Sequence, residues 1–211
     1  MPIIIPCSHD EDDIPEPGTI ILLTVPDVRQ STRYSCGASS LQAVLNYWGI
    51  DVSESDLMEL LHTSPHIGTD PEAIVSVASS FGLSASLSEN LSIGDLKKSI
   101  ELTIPVIIRA QAWSGHEENG HWISDTPDNW EDTWKEGHYM VVIGVDSRNV
   151  YLEDPLLLGT RGIIPIDEFL SRWHDYQRKP NPEVQKIVYN RLGIFISGDK
   201  PAIYPTYTRI S

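Results

Sequence analysis

The spacing of apolar residues predicts an α+β fold, a helical N-terminal half packed on a mostly antiparallel sheet from the C-terminal half. Three observations predict it. Between residues 36 and 82 apolar side chains recur at i, i+3, i+4 and i+7. Between residues 105 and 165 they fall in short β-branched runs bounded by turn residues. The two patterns follow one another instead of alternating, as βαβ units would.

Residues 1–18 hold four prolines (Pro2, Pro6, Pro15 and Pro17) and a run of acids, and read as an extended arm. Residues 19–211 read as a single domain. Thr19 to Val25 is apolar and β-branched and predicts an inward strand. A loop from Gln30 ends at Cys36-Gly37, where a helix begins; Leu41, Val44, Leu45 and Trp48 form its buried face and Gly49 stops it. A second helix starts near Ser53, with Leu57, Leu60 and Leu61 inward. Thr69-Asp70-Pro71 pairs a capping residue with a proline at the first helical position, so a third helix follows, ending at Gly82. Leu83 to Leu87 alternates like a strand, and a short helix spans Ile93 to Glu101. Pro105 to Ile108, Tyr139 to Val145 and Val150 to Leu152 read as buried strands, the last two joined by the tight turn Asp146-Ser147-Arg148-Asn149. Gly162 to Ile164 predicts another strand, Ile166 to Trp173 a helix, and Leu192 to Ile196 a final strand.

The stretch 111–137 reads as an insertion. It carries Trp113, Trp122, Trp130 and Trp134, and seven acids against the single base Lys135. Connections of that length are commonly lids or binding loops.

Composition excludes several classes. Thirty acidic residues against fifteen basic ones give a net charge of −15, and no basic stripe exists to meet nucleic acid. No apolar run reaches the length of a membrane span. The apolar start Met1 to Pro6 lacks a basic region and runs into His9-Asp10-Glu11, unlike a signal peptide, so a cytoplasmic location is expected. Two cysteines, Cys7 and Cys36, make no disulfide framework and have no zinc spacing. His116 and His121 match no metal motif either, and His62 and His66, with Pro65 between them, read as solvated.

The chemistry concentrates at Cys36. A thiol at a helix N-terminus feels the positive end of the helix dipole and free N–H groups, which favour the thiolate. A cysteine alone equally reads as a small buried hydrophobe. Three features favour chemistry. Gln30 lies six residues upstream on the same loop, where an amide can donate to an oxyanion. His138 opens an apolar strand, a position that leaves its ring at the strand mouth. Asp154 ends the partner strand, and a hairpin turning at Ser147-Arg148 returns it to within roughly 10 Å of His138. The rival, Asp146, lies on the order of 26 Å along the strand. Glu153 faces the other side of the sheet from Asp154. A thiol needs a base, and that base needs a partner to fix its tautomer.

The segments Gln30…Tyr34-Ser35-Cys36-Gly37-Ala38…Leu41, Gly137-His138-Tyr139-Met140-Val141-Val142 and Asp154-Pro155, in that order, resemble the double-glycine peptidases, cysteine peptidase family thirty-nine. The similarity runs over about residues 26–175. In that family such domains trim leader peptides, often as part of an exporter. The resemblance implies a papain-like fold, cleavage of peptides after small residues and no metal or other cofactor. It also implies roles: Cys36 nucleophile, His138 base, Asp154 orienter and Gln30 in the oxyanion hole. The insertion before His138 is longer than in the exporter type, and no transporter adjoins, so the chain reads as a stand-alone member. Trp113, Trp134 and Tyr139 are the expected substrate contacts. Three functions stay open: peptide hydrolysis through a thioester, acyl transfer to an amine as in transglutaminases, and peptide binding without catalysis.

Overall fold

The structure is a computed structural model that describes residues 20–118, 121–124, 127, 129–178, 186–204 and 209. The expected arm and Cys7 lie outside these residues, as do the side chains of His116 and His121.

The elements run α1 (Cys36–Tyr47), α2 (Glu54–Leu60), α3 (Pro71–Ser80), β1 (Ser84–Ser88), α4 (Ile93–Glu101), β2 (Val106–Gln111), β3 (Gly115–Glu118) and β4 (His121–Ser124). They continue as β5 (Gly137–Val145), β6 (Asn149–Glu153), β7 (Gly162–Pro165), α5 (Ile166–Arg172), β8 (His174–Arg178), β9 (Lys186–Asn190) and β10 (Gly193–Ser197). Six strands form one sheet in the order β1-β10-β2-β5-β6-β7, and every neighbouring pair is antiparallel. The α+β class holds, with α1, α3 and α4 packed on the sheet.

Sequence chemistry accounts for the helix ends. Ser53 accepts from the Asp56 N–H, Asp70 from the Glu72 N–H, and Ser92 forms a reciprocal capping box with Asp95. Gly49 and Gly82 leave their helices with φ of 82° and 85°, conformations that need no Cβ. The core lies between helices and sheet and includes Leu41, Leu45, Ile74, Leu96, Ile107 and Met140.

Three expectations change. Residues 20–30 form no strand. The segment crosses β5 at Gly144, beside a register shift, where an added Cβ would lie 2.7 Å from the Ile21 carbonyl oxygen. Its sheet pairing reduces to the Leu23 N–H donating to Ile143 at 2.8 Å. Leu60 is half exposed, because α2 packs on α1 through Leu57 while Leu61 fills the remaining space. The hairpins β3–β4 and β8–β9 are additional.

The crossing segment is tied down where it approaches the site. The Val28 N–H donates to Glu153 Oε1 at 2.9 Å, the Gln30 N–H to the Pro155 carbonyl at 3.0 Å, and Arg161 Nη2 to the Val25 carbonyl at 2.5 Å. Glu54 accepts from the Ser31 N–H at 3.0 Å and from Ser39 Oγ at 2.8 Å, linking the same loop to α1. Glu153 is wholly buried, and burial pushes its carboxyl up to about 7. A raised carboxyl binds its proton more tightly in the folded chain than in the unfolded one. Stability therefore falls as pH rises from about 4.5 to 7, by up to about 3 kcal/mol. Glu153→Gln keeps the acceptor for Val28 and removes the charge. Urea unfolding at pH 5 and pH 8 is expected to show a much smaller loss for the variant than for the parent; equal losses would rule out Glu153 as the source.

Candidate active site

Cys36 is the first residue of α1. The residue before it, Ser35, caps nothing with its side chain, because its hydroxyl is engaged with Thr32 at 2.8 Å. The first N–H groups of α1 thus have no side-chain cap at the sulfur's end of the helix. Gly37 is required by packing: a Cβ there would lie 2.6 Å from Thr69 Cβ. Close contact with the loop before α3 is what the Cys-Gly pair permits.

His138 is the second residue of β5, and Asp154 follows the last residue of β6. The β5–β6 hairpin brings them together, with His138 Nε2 2.7 Å from Asp154 Oδ1. The histidine ring is buried rather than at an open strand mouth, because Asp154 and Cys36 enclose it from two sides. Asp154 Oδ1 also accepts the Leu156 N–H at 2.9 Å, and Oδ2 accepts the indole N–H of Trp113 at 2.8 Å. Asp146 is spent in the turn, accepting from the N–H groups of Arg148 and Asn149 and from the Tyr151 hydroxyl. Glu153 points away from Asp154 and holds Val28.

The electrostatics follow from these contacts. Burial pulls the His138 ring toward neutrality, but its bonds to Asp154 and Cys36 outweigh that and push it up to about 10. Burial raises the Cys36 thiol, yet the hydrogen bond and charge of His138, the Tyr139 N–H and the charge of Arg109 bring it below the ordinary thiol value. Asp154 is held below the usual carboxylate range: burial raises it, and the bonds from His138, Leu156 and Trp113 more than reverse that. The arrangement favours a thiolate–imidazolium pair at neutral pH.

Two cavities flank the sulfur. One, of about 510 Å³, is lined by Gln30, Cys36, Trp113, His138 and Leu156. Gln30 Nε2 donates to the Thr32 carbonyl at 2.7 Å, which uses one of its two N–H donors. The other cavity, of about 280 Å³, is lined by Cys36, Gly68, Thr69, Trp134 and Tyr139 among others. Trp134 packs against His174 with ring centres 4.2 Å apart and planes tilted by 47°. The Tyr139 ring is buried, its hydroxyl donating to the Thr69 carbonyl at 3.0 Å.

A buried polar group beneath the second cavity was not anticipated. Arg109 Nε lies 2.5 Å from Asp175 Oδ2, Nη1 donates to Gln177 Oε1 at 2.6 Å and Nη2 to the Tyr176 carbonyl at 2.9 Å. Gln111 Nε2 donates to the His174 carbonyl at 3.0 Å. A Cβ at residue 137 would sit 2.1 Å from Asp175 Oδ2, so the glycine before His138 makes room for this carboxylate. The signals were present: two polar residues, Arg109 and Gln111, interrupt an apolar strand, and a glycine precedes the histidine.

Among the described residues, no three metal-ligating side chains gather and no helix is long and apolar enough to cross a membrane.

Residues 22–180 match the model of the Peptidase C39 like family. The chain belongs to that family. An uncharacterized protein of Methanothermobacter marburgensis is 32% identical over 130 residues, which is 62% of this chain and 71% of that protein. The peptidase domain of Streptococcus ComA, a bi-functional ABC transporter involved in quorum sensing, shares the fold with a TM-score of 0.56 at 20% identity. That match covers 83% of this chain and 99% of the domain. A double glycine motif protease from an AMS/PCAT transporter, solved with its leader peptide, matches with a TM-score of 0.55 at 20% identity, over 86% of this chain and 94% of that one. These solved structures establish a shared papain-like architecture for this C39-like chain.

If His138 holds Cys36 as a thiolate, iodoacetamide alkylates Cys36 near pH 6 at least tenfold faster than in a His138→Ala variant. Equal rates, measured by mass spectrometry of the labelled peptide, would remove the ion pair.

Proposed function

We propose that this chain is a cysteine peptidase that hydrolyses peptide bonds through a thioester on Cys36. The bonding of His138 to both Cys36 and Asp154 carries the reading. The thiolate attacks the scissile carbonyl carbon, and the carbonyl oxygen becomes an oxyanion. The Cys36 N–H and the second N–H of Gln30 Nε2, which lines the same cavity, are the donors assigned to it. The His138 imidazolium gives its proton to the departing amine nitrogen, the C–N bond breaks and a thioester remains. Water, losing a proton to His138, then attacks the thioester; the carboxylate product leaves and Cys36 regains its thiolate. Asp154 keeps the ring in the tautomer and orientation that both steps need.

Cleavage after small residues such as glycine is supported by the double glycine motif protease that shares the fold, and the 280 Å³ cavity lined by Gly68, Thr69 and Tyr139 among others is where that residue would sit beside the sulfur. Trp134 stands at its edge and Trp113 at the edge of the other cavity, as expected of residues beside a bound peptide. Trp113 is 40% exposed, and the open cleft around it favours water over an amine as the acceptor. The leader peptide bound by the AMS/PCAT protease accords with an extended peptide as substrate.

Cleavage of a fluorogenic peptide with Gly-Gly before the scissile bond tests the reading. Cys36→Ala and His138→Ala are expected to abolish turnover, with circular dichroism unchanged. Asp154→Ala is expected to lower kcat by about 10³–10⁴-fold, and Asp146→Ala to leave it within about twofold. An active His138→Ala enzyme, or exchanged effects of the two aspartates, would overturn the assignment. Turnover is also expected to decline as pH passes about 10, where His138 loses the proton that the leaving amine requires.

A further inference from the structure

Trp113 has three properties that a passive lid residue does not need. Its backbone φ is +59°, a left-handed conformation that a bulky side chain rarely adopts. Its indole N–H is committed to Asp154 Oδ2 at 2.8 Å. Its ring stands between two cavities, the active-site cleft and a second space of about 380 Å³ lined by Trp130, Met140, Leu152, Asp154 and Ile163.

The Asp154 carboxylate shows why this matters. Oδ1 receives His138 and the Leu156 N–H, whereas the donor described for Oδ2 is Trp113. Asp154 is buried, so without the indole Oδ2 would lack a donor and the carboxylate would gain from turning to share Leu156 or His138 differently. The left-handed backbone at residue 113 is what turns the ring back over the end of β6 immediately after β2 ends. A local conformation that unfavourable persists where surrounding contacts over-determine it.

We propose that Trp113 is a positioning residue: its indole N–H locks the plane of the Asp154 carboxylate so that Oδ1 faces His138, and its ring screens that bond from the cavity behind. The proposal rests on Cys36, His138 and Asp154 acting together as an acyl-transfer site. Trp113 acts through Asp154 and touches no reacting atom. This role is separate from any contact that the exposed edge of the ring makes with substrate.

Trp113→Phe keeps a ring and removes the N–H. The readouts are the alkylation rate of Cys36 by iodoacetamide from pH 5 to pH 11, and kcat and KM on the Gly-Gly fluorogenic peptide. Misorientation of Asp154 withdraws support from the imidazolium, so the alkylation rate at pH 6 is expected to fall about tenfold, the size of one charge-assisted hydrogen bond. The alkaline limb of turnover is expected to move to lower pH, and kcat to fall about tenfold with KM within about twofold. In an Asp154→Asn background the same change is expected to add nothing. Trp113→Gly relieves the backbone but loses the ring as well, and is expected to be more impaired than Trp113→Phe. An unchanged alkylation profile, an upward shift of the alkaline limb, a rise in KM alone, additive losses with Asp154→Asn, or a fully active Trp113→Gly would each overturn the proposal. If the parent chain cleaves no peptide, the peptidase reading fails while the alkylation profiles still decide the role of Trp113.

Discussion

A histidine and an aspartate, both buried and 2.7 Å apart, make the demand that the surrounding structure answers. Neither group tolerates burial alone: the ring would shed its proton and the carboxylate would take one up. Together they hold opposite charges stably, and the thiol of Cys36 joins as the second anionic partner of the ring. The hairpin between them therefore has little freedom. Its turn is pinned by three hydrogen bonds to Asp146, and its far end by the Leu156 and Trp113 donors to Asp154.

The helical half supplies the remaining member with equal economy of freedom. Cys36 begins a helix whose other residues lie mostly in the core, so the sulfur moves only if the core moves. Gly37 lets that helix approach Thr69, and Thr69 in turn receives the hydroxyl of Tyr139, the neighbour of His138. One chain of close contacts thus joins the two halves beneath the cleft. The loop bearing Gln30 is held from both halves as well, by Glu54 on one side and Glu153 and Pro155 on the other.

What was legible in the sequence was whatever depended on local pattern. The five helices and the central strands follow from apolar spacing, caps and stops, and Asp154 could be preferred over Asp146 because a hairpin of known turn returns one and not the other. Less legible was anything whose inward face is polar. The β8 strand buries Asp175 and Gln177 against Arg109, so its alternation carries no hydrophobic signal. Residues 20–25 look like a strand because they are apolar and β-branched, yet they cross β5 obliquely at the irregularity by Gly144, just past Val142 where the pairing with β2 ends, and the Leu23 N–H to Ile143 is the ladder bond described there. The bond from Trp113 to Asp154 depends on a left-handed backbone at a tryptophan, which no propensity anticipates. Those three cases share a cause: tertiary partners, not neighbours in sequence, decide them.

Glu153 and Asp154 sit side by side at the end of β6, one anchoring the Gln30 loop and the other serving His138. Because strand faces alternate, shortening or lengthening the Asp146–Asn149 turn by one residue would exchange their directions. The longer carboxylate would then enter the cleft beside His138 and the shorter one would face the loop, spoiling both attachments at once. The adjacent pair of acids acts as a ruler for the hairpin, making the spacing between His138 and Asp154 as much a part of the site as the residues themselves.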